Sequence, residues 1–461
     1  MRATEVRLSH RLRVLPLVIS VALAVSTVAA AQPLPRVDGP LTMEEAVDLA
    51  RQKSLRVKAS DADARAADSM RREALAPFWP QLSANGYIND QRQAPNVYTS
   101  AGTTMARNYQ VFNADQNRDG NLTAMYPLFS GGRDYYGYKA AAARADAARQ
   151  ARRGTEVDVA MQARLDYISA LREAENARVT GELMRDVEER LRLSRQMFDS
   201  GRIPRYYLLR DEAELANVAQ MDATARSRVD LALVSLKTTM GVDLSSAITL
   251  ADRLELTPAI LSVEEGVRQA SESHPDLKAA ARQREAAQAD VRAAYGNYFP
   301  QVSVGYMYDW AWMKNRAWES QAERMRSGAD TSEGYSVGVV VTLPLFDGFL
   351  RENALRTAKA KLERATQAEG LARQQIAKEV NQAVLMLAAA EKAVEASRTG
   401  LEQAEEEFRI MKQRFESGRG IQLEILDAQV SVTRARFNTV SALAEYKTAL
   451  AMWLRATGRV R

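Results

Sequence analysis

Residues able to do covalent or metal chemistry are scarce in this sequence. It has no cysteine and only two histidines, His10 and His274, among 461 residues. That excludes a thiolate nucleophile, a disulfide scaffold, a thiolate metal centre and an acylated cysteine near the N-terminus. No Gly-rich phosphate loop of the Walker type is present, so nucleotide hydrolysis is not this chain's source of energy. What remains are charges beside two glycines. Arg202, Arg205 and Arg210 crowd Gly201, whereas Glu424 and Asp427 follow Gly418, three residues apart and so on neighbouring positions of one helix face. Such charges serve either as a solvated helix face or as the lining of a narrow mouth, where low-dielectric walls focus the field. Neither is catalysis, and the chain reads as a non-enzyme without cofactor or metal. His274, in Ser-His-Pro-Asp, reads as a residue at a helix start beside Pro275.

The N-terminus says where these charges work. Arg2, Arg7, Arg11 and Arg13 precede the apolar run Val14 to Val28 and the small residues Ala29-Ala30-Ala31. That is a secretory signal, 1–31, with cleavage before Gln32. Its apolar run is short for a bilayer-spanning helix, which needs about twenty residues. Removing the four arginines and Glu5 lowers the net charge from +5 to +2, which leaves no basic surplus for nucleic acid.

The remainder is written twice. Leu41-Thr42-Met43-Glu44-Glu45-Ala46-Val47 recurs as Leu261-Ser262-Val263-Glu264-Glu265-Gly266-Val267, and Phe78-Trp79-Pro80-Gln81 recurs as Tyr298-Phe299-Pro300-Gln301. Farther on, Tyr126-Pro127-Leu128-Phe129-Ser130-Gly131 corresponds to Leu343-Pro344-Leu345-Phe346-Asp347-Gly348, and Phe198-Asp199-Ser200-Gly201-Arg202 to Phe415-Glu416-Ser417-Gly418-Arg419. Four paired landmarks in the same order divide the mature chain into two structural repeats, 32–257 and 258–461.

Each repeat changes period from helix to strand and back. Thr42 to Ala76 and Ser262 to Gly296 are rich in alanine, arginine and glutamate, and predict helices of about thirty-five residues. Alternation of period two then predicts strands over about 81–90 and 120–129 in the first repeat and about 301–312 and 335–346 in the second, with Pro127 and Pro344 ending the pairing. The alternation puts Val302, Val304 and Tyr306 on one side of their strand and Val337, Val339 and Val341 on one side of theirs. Long polar inserts, about Gln91 to Gly120 and Met313 to Gly334, join the strands of each pair, as outer loops do in a membrane barrel. Tyr306, Tyr308, Trp310 and Trp312 suit an interfacial girdle. A soluble sheet with a covered apolar face has the same alternation. Four strands cannot close a barrel, which needs about eight, and an open edge is not tolerated in lipid. If these strands cross a membrane, several chains share one barrel.

Proline-free tracts follow, from about Asp134 to Ser200 and from about Leu350 to Ser417. At 1.5 Å per residue each predicts roughly 100 Å of helix. Val380, Leu387, Val394, Leu401, Phe408 and Phe415 recur every seven residues, matched in the first repeat by Ala163, Ala170, Ala177, Met184, Leu191 and Phe198. A sustained seven-residue period predicts left-handed coiled-coil packing. Return helices, roughly Pro204 to Met240 and Ile421 to Ala456, complete two hairpins turning at Gly201 and Gly418, and the second carries the period on through Leu423, Val430, Phe437 and Ala444.

These motifs together resemble the TolC-type outer membrane efflux proteins: the doubled order, the Phe-Trp-Pro-Gln and Tyr-Phe-Pro-Gln entries, the Pro-Leu-Phe-Ser-Gly and Pro-Leu-Phe-Asp-Gly exits, and the turn Phe-Glu-Ser-Gly-Arg-Gly-Ile-Gln-Leu-Glu-Ile-Leu-Asp-Ala-Gln. The resemblance implies an α+β membrane protein. In it a trimer builds a 12-stranded β-barrel in the outer membrane, four strands per chain, continuous with a periplasmic α-helical coiled-coil barrel. It implies a passive exit duct for efflux or type I secretion, with a periplasmic adaptor and an inner-membrane pump as partners. Gly201, Arg202, Gly418 and Arg419 match the adaptor-contact tip, and Glu424 and Asp427 match the acidic periplasmic gate. Tyr207 stands where the best-known members have an acidic residue and Gly420 where they have a basic one, with Arg419 or Arg202 as substitutes. Two other classes fit parts of the sequence. A passive porin would leave the helices without purpose, and a secreted coiled-coil adaptor or structural rod would leave the alternating strands without purpose.

Overall fold

The computed structural model describes residues 34–90, 116–259, 261–314, 331–417 and 419–460. The predicted signal, most of both polar inserts and Gly418 lie outside the described residues. A short strand β1, Gly39–Leu41, leads into helix α1, Met43–Lys53. Thr42 starts that helix with a capping box: its hydroxyl accepts the Glu45 N–H, and the Glu45 carboxylate accepts the Thr42 N–H. There follow α2 (Leu55–Glu73), β2 (Gln81–Asp90), β3 (Gln116–Phe129), α3 (Arg133–Asp199), α4 (Arg205–Met240) and β4 (Ile248–Leu250). The second half holds α5 (Val263–Ser273), α6 (Pro275–Gly296), β5 (Gln301–Lys314), β6 (Thr331–Thr342), α7 (Leu350–Glu416) and α8 (Gln422–Ala456).

The two expected thirty-five-residue helices are each two helices. The second breaks at His274, φ −62° and ψ 124°, because Pro275 takes the first position of α6 and drives its predecessor into the extended region. The first breaks at Ser54, which no proline announces. There the turn around Gly241, just after α4, packs on the backbone of Lys53 and Ser54, so the break is a tertiary effect.

The main sheet runs β2-β3-β5-β6, antiparallel throughout. Its register sorts side chains by face: Leu82, Ala124, Tyr306 and Val337 form one row, Tyr126, Val304 and Val339 the next, and Val302 pairs with Val341. The other face carries Ser83, Thr123, Met307 and Ser336, and an Asn85 to Asn121 hydrogen bond of 2.9 Å. Pro127 does not end the pairing. It stays within β3 opposite Ser303, and an irregularity between Pro127 and Phe129 absorbs the lost donor. Strand β6 stops at Thr342, short of the expected 346, because Pro344 follows.

A waist lies between the sheet and the hairpin turns. Strands β1 and β4 pair in parallel, and the buried Tyr167 of α3 donates its hydroxyl to the Leu41 carbonyl at 2.7 Å. Val47, Ala50, Val159, Leu236 and Met240 close a core around them. A second core joins Leu277 of α6, Val380 of α7 and Trp453 of α8. Toward the sheet α3 is tied to α2 by Arg152–Asp61 and to α6 by Arg144–Asp290; toward the turns it packs on α4 and α8. Among the described residues no helix is long and apolar enough to cross a membrane.

The seven-residue seam is buried near the waist, at Ala163, Ala170, Val380, Leu387 and Val394; nearer the turns Leu191 is buried too, while Met184, Phe198, Leu401, Phe408 and Phe415 are half-exposed. On α8 the expected seam holds at Ala444, which is buried, and at half-buried Phe437, but is displaced near the turn: Leu423 and Val430 are exposed, whereas Gln422, Ile425, Gln429 and Val432 are buried. Their three-four spacing is that of a coiled-coil interior, but two of the four are glutamines.

Candidate functional site

The hairpin turns carry the charges that the sequence singled out, the arginines at the first and the carboxylates at the second, and no ion pair joins the two sets among the described residues. At the first turn, Gly201 takes φ +72°, which closes α3 with a Schellman arrangement: the Gly201 N–H reaches the Phe198 carbonyl at 2.9 Å and the Arg202 N–H reaches that of Met197 at 2.8 Å. At the second, the Arg419 and Gly420 N–H groups both reach the Arg414 carbonyl, at 2.9 and 3.0 Å. Arg202, Arg205 and Arg210 are exposed and form no ion pair among the described residues. Tyr206 stacks on Tyr207 with ring centroids 4.2 Å apart, and the neighbouring Tyr207 phenol raises the pKa of Tyr206. Glu424 is half-buried, 3.9 Å from Arg414 of α7, and Asp427, one helical step on, is exposed.

A polar cluster that sequence reasoning missed sits just behind the turns. Asp211 of α4 is fully buried, and its carboxylate accepts from Arg190 Nε of α3 at 3.0 Å, Ser194 Oγ at 2.6 Å and Gln422 Nε2 of α8 at 2.9 Å. Arg190 also donates to Gln429 Oε1. One carboxylate thus joins both helices of the first hairpin to the return helix of the second. Among the described residues Arg190 Nη2, Gln422 Oε1 and Gln429 Nε2 are buried without a hydrogen-bond partner. Such groups bear a desolvation cost of about 1–3 kcal/mol each. Apolar periodicity passes over these residues because it scores them as surface. The Gln422–Gln429 spacing of seven was the legible signal.

A second link lies nearer the waist. Arg436 of α8 reaches Glu182 of α3 at 3.2 Å and Glu405 of α7 at 3.1 Å. Burial raises the pKa of nearby Asp186, against the pull of Lys412 and Arg436.

At the other end, the sheet leaves one apolar face uncovered in the single chain. Val337, Val339 and Val341 are 63–68% exposed, and the register places them in the same face as Val302, Val304 and Tyr306. Tyr308 and Trp310 continue that face, whereas the side chain of Trp312 lies outside the described residues.

This combination of a four-stranded sheet and two very long hairpins can be set beside known proteins. The family described as outer membrane efflux protein matches residues 46–242 and 266–459. The chain belongs to that family. Among curated relatives, protein CyaE of Bordetella pertussis is 28% identical over 448 residues, covering 93% of this chain and 86% of the relative. The outer membrane efflux protein BepC of Brucella suis is 23% identical, covering 91% and 86%. The crystal structure of the Campylobacter jejuni CmeC outer membrane channel superposes with a TM-score of 0.74 at 16% identity, over 90% of this chain and 85% of that one. The protein is a transport channel protein of the outer membrane, and its sheet and helices have the fold of such channels.

Proposed function

We propose that three copies assemble into one channel-tunnel, with twelve strands closing a barrel in the outer membrane and the helices forming a periplasmic duct. The observation that carries this reading is the sheet. Four strands in the register found here gather valine and tyrosine on one face and leave β2 and β6 at open edges, a combination that hydrocarbon accepts only if neighbouring copies complete the ring. Val302, Val304, Tyr306, Val337, Val339 and Val341 then face lipid. Exposed Leu423 and Val430, seven residues apart on one face of α8, support the same arrangement at the far end, since uncovered apolar side chains beside a turn fit contact with another copy. The doubled order of elements supports descent of both halves from one repeat.

The duct is passive and has no catalysis of its own. Its periplasmic end is the gate, with Glu424 and Asp427 at the mouth and Gly201, Arg202, Gly418 and Arg419 where a periplasmic adaptor docks. An inner-membrane pump supplies the energy for efflux or type I secretion. Within each chain the Arg190–Asp211–Gln422–Gln429 cluster holds the second hairpin to the first, and dilation of the mouth requires that hold to break. A secreted coiled-coil rod would leave the apolar sheet face without an occupant.

Detergent-corrected light scattering tests the assembly. Three chains per particle is the expected result, and a monomer that stays folded in membranes would sink the shared barrel.

A further inference from the structure

The histidine that the channel reading does not use sits at the waist. His274 is 3% exposed, between the end of α5, the start of α6 and the turn that follows α8. Its Nδ1 accepts the Asp276 N–H at 3.2 Å and so caps α6. An Nδ1 that accepts leaves the proton on Nε2, which is buried beside the Arg455 backbone and makes no hydrogen bond of ordinary geometry among the described residues. The turn after α8 presses directly on this residue. Gly458 takes φ +70°, and a Cβ there would lie 3.0 Å from His274 Cα and 3.2 Å from Pro275 Cδ. Beside it Ser273 Oγ, whose hydroxyl donates to the Gln269 carbonyl at 2.7 Å, lies 3.3 Å from the Thr457 carbonyl. The end of the second hairpin's return helix is therefore fastened to the waist through the His274 break.

We infer that this joint is a pH-sensitive clamp: proton uptake by His274 breaks the α6 cap and loosens the end of α8, and with it the second hairpin, from the waist. A protonated imidazole donates from both nitrogens, so Nδ1–H would meet the Asp276 N–H donor to donor, with a positive charge at the positive end of α6. The surrounding charges are of both signs. Asp276 of α6, its Oδ2 3.9 Å from Nδ1, Glu379 of α7 and the backbone of Arg455 favour the proton; the Arg455 guanidinium of α8 opposes it and is itself held by Glu379 and Asp158 of α3. Burial is the largest influence and lowers the pKa below the ordinary 6.5. A base with a depressed pKa in the folded joint gives stability that is complete above the unfolded value. That stability declines as pH falls from about 6.5 toward the folded pKa.

The test uses the full chain in detergent. Hydrogen exchange of Val263–Ser273 and of the last two turns of α8, corrected for intrinsic rates, is compared at pH 7.5 and below for wild type and His274→Asn, which keeps a cap acceptor but cannot titrate. Wild-type protection is expected to fall below pH 6.5, by no more than about tenfold per pH unit because one proton is involved, while His274→Asn stays flat. An equal acid response in both proteins overturns the clamp. Exchange of the imidazole C2–H in wild type reads the same site without mutation, and a pKa at or above 6.5 also overturns it. The consequence for permeation rests on the channel reading and is checked separately. Acid should raise planar-bilayer conductance of wild type but not of His274→Asn, and an acid-loosened joint with unchanged conductance would count against the gating link alone.

Discussion

Two ion pairs near the hairpin turns differ in almost every respect that matters energetically. Arg190 and Asp211 are 3.0 Å apart with side chains 6% and 0% exposed, and both make further hydrogen bonds. Arg414 and Glu424 are 3.9 Å apart with side chains 49% and 38% exposed. The exposed pair contributes about 0–1 kcal/mol and weakens with salt, whereas removing one partner of a buried pair strands a charge at a cost of about 3–5 kcal/mol. The buried cluster therefore governs whether the hairpins stay together. In the proposed channel the exposed charges govern what ions meet at the mouth.

The sharpest way to break this contrast is Asp211→Leu. It strands Arg190 and should loosen the second hairpin from the first by about 3–5 kcal/mol. The readouts are faster proteolysis at the 201–204 turn and larger planar-bilayer conductance. The double variant Arg190→Met, Asp211→Leu should recover most of the stability, because an apolar pair of similar volume replaces the ions. If the single and double variants unfold alike, the cluster is not a coupled unit.

The same dependence of a charge on its surroundings should hold in the proposed barrel. Val339→Lys is expected to cost about 2–4 kcal/mol per chain near the bilayer midplane and to impair assembly, whereas Ser303→Lys, on the opposite face, should change ion selectivity and leave assembly intact. Semi-denaturing electrophoresis of trimer against monomer distinguishes the faces. Equal sensitivity would defeat the assignment of the apolar face to lipid.

The smallest stability effect is expected where the functional effect is specific. Replacing Glu424 and Asp427 together with alanine should shift unfolding by no more than about 1 kcal/mol. It should nevertheless lower the preference for potassium over chloride in planar bilayers. Unchanged selectivity would return these carboxylates to the status of a solvated helix face.

How far the sequence could be read depends on which interactions carry each element. The strands and long hairpins were legible because alternation, proline-free length and a seven-residue period act locally and repeat many times. The break at His274 was half-legible through Pro275, while that at Ser54 was invisible because its cause is the turn around Gly241, almost two hundred residues away. On α8 the apolar residues Leu423 and Val430 are exposed in the single chain, one position away from the residues that its own interior buries. The buried positions are held by Gln422 and Gln429, whose reason for being inside is a carboxylate on another helix. A polar seam has no apolar signature, so the part of the site that binds the hairpins together was the part least visible.

Helices α3 and α7 each contain 67 residues. Equal lengths bring both turns to the same level, so six turns in a trimer would form a flush rim. Length is then inherited as a shared quantity: deleting one residue from either helix would raise its turn by about 1.5 Å and rotate everything beyond the deletion by about 100°. Substitutions can accumulate along these helices one at a time. Changes in length must come in matched pairs, in steps that restore the helical phase, or the rim tilts and no partner can seal against it.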